Sequence, residues 1–181
     1  MTRRTAADTK GDVSRVLGKL EATGQDLTIL RLLANDPGTF RPFVMMANSL
    51  VYGATLPADV RETVVLWLAR RRRNTYEWAE HVPMSKRAGL TEEQIEALRN
   101  GDLSRADADQ SFGVQAVDEL LADRSLSPST WEDMISRWGV EGAMDLVLTA
   151  GWWGGLVPTV LEALGLEVPD SLRSQPLPVF G

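Results

Sequence analysis

The chain of 181 residues holds one histidine, His81, and no cysteine, so the side chains able to carry a reaction form a short list. His81 is the only group whose ordinary pKa puts its charge change near neutrality. Glu77 stands four residues before it, the spacing that puts two side chains on one face of a helix. Glu62 lies in the preceding apolar segment, Pro57-Ala58-Asp59-Val60-Arg61-Glu62-Thr63-Val64-Val65-Leu66-Trp67. A carboxylate at the inner edge of such a helix is costly unless it is paired, protonated or hydrated. Beside an imidazole it fixes the tautomer and raises the basicity, which is the arrangement of a general acid–base pair. The same three residues also fit a plainer reading, a hydrogen-bonded helix histidine with Glu77 as its local ion-pair partner.

Composition removes several chemistries. Without cysteine there is no disulfide, thiolate nucleophile, Cys-x-x-Cys redox pair or thiolate metal site. One histidine is too few for a one-chain His-rich zinc or iron centre, so chemistry must be built around His81, carboxylates, hydroxyls or a borrowed cofactor. Nineteen Lys and Arg against 25 Asp and Glu leave a net charge of -6, which offers no general attraction to nucleic acid or an anionic membrane. The opening Met1-Thr2-Arg3-Arg4-Thr5-Ala6-Ala7-Asp8 lacks the apolar stretch of a secretory signal, and cytoplasmic location is the expectation. No uncharged apolar run nears the length needed to span a bilayer. A small-molecule substrate is the expected partner.

The elements that must position these groups read as helices almost throughout. Asp12–Leu20 places Val13, Val16, Leu17 and Leu20 on one face, with Gly24 as its stop and Asp26 capping a second helix through Leu33. Pro37 suits the first turn of a third helix, which carries Phe40 to Val51. Val60 to Leu68 form a nearly all-apolar helix, as expected for a central one. It ends in Arg70-Arg71-Arg72-Arg73, where cations favour the helix dipole and one of them, taken as Arg73, can neutralise a substrate carboxylate. Asn74 followed by Glu77 has the form of a helix cap, so a short break separates this helix from the one bearing His81. Pro83 should kink that second helix or end it early, and Gly89 reads as its C-cap.

Thr91 with Gln94 is a capping box for a helix through Arg99. A polar loop is expected over 102–109, then a helix from about Gln110 to Ala122. Another starts at Ser127-Pro128 or at Ser129 and ends at Gly139, and a further one covers Val140–Ala150. Gly151-Trp152-Trp153-Gly154-Gly155 interrupts the pattern before a last helix, Val157–Leu164. Residues 1–165 therefore form one all-α domain, and 166–181 an irregular proline-rich tail. Asn74, Tyr76, Trp78 and Trp152 join Arg73 as candidate substrate contacts, the aromatics either lining a pocket for a planar ring or simply packing.

Three stretches together resemble the carboxymuconolactone decarboxylase/AhpD-like superfamily. They are Arg61-Glu62, then Asn74-Thr75-Tyr76-Glu77-Trp78-Ala79-Glu80-His81, then Ala88-Gly89-Leu90-Thr91-Glu92-Glu93-Gln94-Ile95-Glu96-Ala97-Leu98. Weaker similarity covers Asn35 to Val51 and Trp131 to Leu164. The resemblance implies an all-α fold with an antiparallel helical core, assembled as a homo-oligomer: a trimer or hexamer, with a dimer as the other arrangement. It also implies pockets near subunit contacts. The redox-active branch works through a Cys-x-x-Cys pair supported by a glutamate and a histidine. Carried onto this chain, Glu62 and His81 match those two supporting residues, while Asn74 and Glu77 occupy the cysteine positions. Thiol-dependent peroxidase activity is thereby excluded. The cysteine-free pattern resembles instead gamma-carboxymuconolactone decarboxylase, a lyase that releases carbon dioxide from a small unsaturated lactone acid without a cofactor. The alternative is a non-catalytic small-ligand-binding or oligomeric scaffold protein that keeps the fold.

Overall fold

The computed structural model describes residues 2–23, 28–166, 168 and 177. The expected stop at Gly24, the cap at Asp26 and most of the proline-rich tail lie outside the described residues. Among those described, all regular structure is helical: a 3-10 turn at Ala6–Asp8, then α1 Gly11–Thr23, α2 Thr28–Leu33, α3 Pro37–Tyr52, α4 Ala58–Arg71, α5 Thr75–Arg87, α6 Glu92–Asn100, α7 Ala108–Asp123, α8 Pro128–Gly151 and α9 Val157–Ala163. A π-helical turn, Trp152–Leu156, joins α8 to α9.

Helix α4 is the axis of the bundle. Val60, Val64, Val65, Leu66 and Leu68 are buried, and so are Arg61, Glu62 and Thr63. A helix wrapped on every side has nowhere to put a polar face, and its charges must find partners inside the protein. α5, α6, α7, α8 and the π turn all pack against it. The main core spans α1 to α4 and α7 to α9, and a second cluster of Leu66, Ala69, Trp78, Val82, Leu90, Ile95 and Leu98 fills the space between α4, α5 and α6. Leu177 of the tail is buried in that second cluster, and so packs on its own chain.

The helix ends follow local chemistry. Asp36 caps α3 through the amides of Gly38 and Thr39 with Pro37 in the first turn, and Thr91 and Gln94 form the reciprocal capping box of α6. α7 begins two residues before the expected Gln110. Asp107 accepts from the Asp109 and Gln110 amides while the Gln110 side chain accepts from the Asp107 amide, a second capping box inside what reads as a polar loop.

Two expectations are corrected. Pro83 does not end α5, which continues to Arg87. It closes only beyond Ala88, where Gly89 takes φ +104° and the amides of Gly89 and Leu90 reach back to the carbonyls of Lys86 and Ser85. This is a Schellman closure. The glycine-rich stretch after Gly151 does not interrupt the chain either: it winds as the π turn, which keeps α8 and α9 continuous. The fused stretch Pro128–Ala163 is for that reason long and apolar enough to cross a membrane by length and composition alone, but it carries charges such as Glu141, Asp145 and Glu162, and 50% of its apolar window is buried inside the protein, as in a core helix. Gly139 does break helical geometry, with φ +71° and ψ 176°, a conformation suited to glycine.

That kink brings Trp138 over Gly142, where an added Cβ would stand 2.5 Å from the Trp138 Cβ. Gly142→Ala is expected to lose about 1–3 kcal/mol through overpacking. Gly151→Ala, with nothing within 4 Å of its Cβ position, should be neutral or gain up to about 1 kcal/mol of helix propensity. Chemical denaturation of the two variants checks the contrast.

Candidate functional site

The junction between α4 and α5 sets the geometry. The amides of Arg73 and Asn74 bond back to the carbonyls of Arg70 and Ala69 at 3.0 and 2.8 Å, a Schellman closure of α4 with Arg73 in the left-handed region at φ +54°. Such a conformation costs a non-glycine residue about 1–2 kcal/mol. Asn74 then starts α5 at once, its side chain accepting the Glu77 amide at 3.0 Å. One residue therefore ends one helix and caps the next, so the two helices run back along each other in a fixed register. That register carries His81 to Glu62.

The His81 Nδ1 lies 2.8 Å from Glu62 Oε2, within hydrogen-bond reach. The other oxygen of Glu62 accepts from Nε and Nη2 of Arg61, each at 3.2 Å. On the far side of the imidazole, Nε2 stands 3.5 Å from Glu77 Oε2, the i, i+4 neighbour. The result is a row of alternating charge types: guanidinium, carboxylate, imidazole, carboxylate. All four residues are buried, Glu62 completely and His81 with 5% of its surface exposed. The Ser85 hydroxyl donates to the His81 carbonyl at 2.8 Å.

Burial alone would push the imidazole towards its neutral form. The charge and hydrogen bond of Glu62, reinforced by those of Glu77, outweigh it and raise the His81 pKa to about 10. Glu62 mirrors this. Burial favours the protonated acid, but the His81 and Arg61 charges and hydrogen bonds hold the carboxyl below its usual range. With these shifts the pair is an imidazolium–carboxylate ion pair at neutral pH.

Trp153 covers the imidazole, ring centroids 5.3 Å apart and planes at 85°. Its place depends on the π turn, a feature frequent at functional sites. Trp152 faces elsewhere and packs on Phe43 of α3 at 4.6 Å. The sequence pattern shows a tryptophan pair without showing which member meets the histidine, because the extra residue of a π turn shifts the facing of all that follow. Arg61 was equally unassigned by sequence. Its place beside Glu62 was visible, but not its burial.

The remaining candidates lie apart from the imidazole. Arg73, Asn74 and Tyr76 line a pocket of about 140 Å³ with Thr75, Leu161, Glu162, Gly165 and Leu166. Seven residues of helix separate Asn74 from His81, roughly 10 Å at the α-helical rise. Trp78 is fully buried in the second core cluster, with the Arg99 guanidinium 5.7 Å from its ring centroid. Three of the four consecutive arginines tie elements together. Arg70 donates to the carbonyls of Arg99 and Asn100, Arg71 pairs with Asp118 at 2.8 Å, and Arg72 donates to the Gly154 carbonyl in the π turn at 2.6 Å. Among the described residues no group of three or more His, Asp or Glu is arranged to hold a metal ion.

Comparison with known proteins agrees with this architecture. The sequence profile of the carboxymuconolactone decarboxylase family matches residues 37–119, a span that takes in α3 to α6, most of α7, and Glu62, Glu77 and His81, but not the tryptophan pair. No curated protein matches the chain. A solved structure, an uncharacterized peroxidase-related protein from Silicibacter sp. TM1040, superposes with a TM-score of 0.77 over 97% of this chain and 98% of its own, at 17% identity. That likeness establishes a shared all-helical fold. Over residues 37–119 the chain thus matches the carboxymuconolactone decarboxylase family, with no cysteine anywhere in its sequence.

Proposed function

We propose that the protein is a cofactor-independent acid–base enzyme acting on a small acidic or aromatic metabolite, with decarboxylation as the reaction its family name favours. The observation that carries this reading is the buried Arg61–Glu62–His81–Glu77 row. His81 is the proton donor and acceptor, its Nε2 the reacting atom. Glu62 orients the ring through Nδ1 and stabilises its protonated state, as a buried carboxylate does in other catalytic dyads. Glu77 is the second carboxylate at the site, and Trp153 offers a flat wall beside the imidazole. Arg73, Asn74 and Tyr76 are a second, outer set of substrate contacts. Asn74 and Glu77, which stand where the resemblance places thiols, leave the chain no reducible pair. Release of carbon dioxide by this route needs a proton delivered to carbon, and an imidazolium held near neutrality supplies one.

A second reading, a ligand-binding or scaffold protein, is favoured by the near-complete burial of His81 within one protomer. Homo-oligomeric assembly belongs to either reading. Val140, Met144 and Leu148 leave an apolar stripe exposed at i, i+4, i+8 along α8, which suits contact with another copy.

A substrate screen that detects carbon dioxide release or solvent proton exchange separates the readings. For a confirmed activity, His81→Ala is expected to lower kcat by about 10²- to 10⁴-fold, and Glu62→Gln to lower it substantially. Full activity in both variants would remove the assigned mechanism. Specific binding without turnover would favour the second reading.

The ion pair also sets a pH dependence of stability. A pKa raised from about 6.5 to about 10 contributes stability that is complete below 6.5 and is lost as pH climbs through 10. Glu62, with its pKa depressed, contributes above its unfolded value and loses that contribution in acid; both describe one pair and are not summed. Thermal melts of wild type should fall between pH 7 and pH 10, while His81→Gln should lack that component. Parallel curves for the two proteins over this range would contradict the ion pair.

A further inference from the structure

His81 holds its two carboxylates unequally. Glu62 is fully buried, 2.8 Å from Nδ1, and locked from behind by two N–H groups of Arg61. Glu77 approaches Nε2 only to 3.5 Å, and its side chain retains 8% exposure against 1% for Glu62. It sits in the first turn of α5, where its amide is taken by Asn74 but its carboxylate is anchored by the imidazole. A buried carboxylate held, among the described residues, by one long contact recovers little of the hydration it gave up. Of the four members of the row, it is the one most readily exchanged.

We propose that Glu77 stands in for the carboxylate of an acidic substrate: it occupies the Nε2 side of His81 in the free protein, and a small carboxylic acid binds by displacing it. This rests on the acid–base reading of His81. Exchange of one carboxylate for another keeps the buried charges balanced. An acid entering without displacing Glu77 would set two carboxylates side by side in a dry site, which is strongly unfavourable. Glu77 follows within one turn of Asn74 and Thr75, which line the neighbouring pocket, and on displacement its carboxylate moves towards that opening. An aromatic acid gains the further contact of Trp153, which already covers the imidazole. The arginine run is not required for recognition, consistent with the engagement of Arg70, Arg71 and Arg72 by Arg99, Asp118 and Gly154.

The sole histidine makes the test direct, since its imidazole NMR signals are unique in the protein. Benzoate and acetate are titrated against wild type, Glu77→Ala and Glu77→Gln, with benzamide as the uncharged control. Glu77→Ala is expected to show a saturable change at the His81 ring with benzoate, at an affinity at least about tenfold tighter than wild type, with acetate weaker and benzamide silent. Glu77→Gln keeps the shape of the side chain and should shift in the same direction should the alanine variant fail to fold. Loss of the response in His81→Ala/Glu77→Ala, followed by ligand-detected NMR, places the anion on the imidazole. No saturable response in either Glu77 variant, or equal affinity in variant and wild type, overturns the proposal. Benzoate binding in Glu77→Ala alongside full turnover in His81→Ala would uphold this inference and reject the acid–base reading, so the two fail separately.

Discussion

The hydrogen-bonded ion pair between Glu62 and His81 is the constraint on which the rest of the molecule turns. Two charges placed at the centre of a helical bundle lose several kcal/mol of hydration each, and only close, well-oriented pairing recovers it. Here the carboxylate is shared between Arg61 and His81, so neither of its oxygens is left without a partner. An apolar pair of similar volume would serve stability as well or better. Keeping the charges has another effect: the arrangement holds an imidazolium where water would otherwise leave the ring mostly neutral.

The fold supplies that arrangement with few devices. Arg73 adopts a left-handed conformation to close α4, and Asn74 caps α5 immediately, which fixes how far along α5 the histidine stands from the glutamate. The π turn after α8 then turns Trp153 rather than Trp152 onto the imidazole, and the Arg72 side chain binds the Gly154 carbonyl in that same turn. The end of α4 is thus connected to both the helix that carries His81 and the wall that covers it. A shift at the junction would be felt on two sides of the site at once.

Local chemistry made much of this legible from sequence. The Asn74 cap, the Thr91 and Gln94 box and the nearly all-apolar run of α4 follow from side-chain type and spacing, and with them come the break between α4 and α5 and the burial of Glu62. The meeting of Glu62, Glu77 and His81 was legible because each lies on a strongly patterned helix. What escaped depends on tertiary context. The π turn looks like a glycine-rich interruption, since composition does not reveal an added residue per turn. Pro83 reads as a breaker, yet packing of Val82 and Ser85 on either side carries the helix past it. The second capping box at Asp107 was hidden in a run of polar residues. Arg61 looked like an ordinary polar position on α4, and only its burial turns it into the partner of Glu62.

The central claim is that the buried imidazole is held protonated by Glu62, and ¹⁵N NMR titration of the single histidine tests it most directly. The account predicts an imidazolium throughout the neutral range, titrating near pH 10 in the wild-type protein and at markedly lower pH in Glu62→Gln. A wild-type midpoint near 6.5, unchanged by Glu62→Gln, would contradict it.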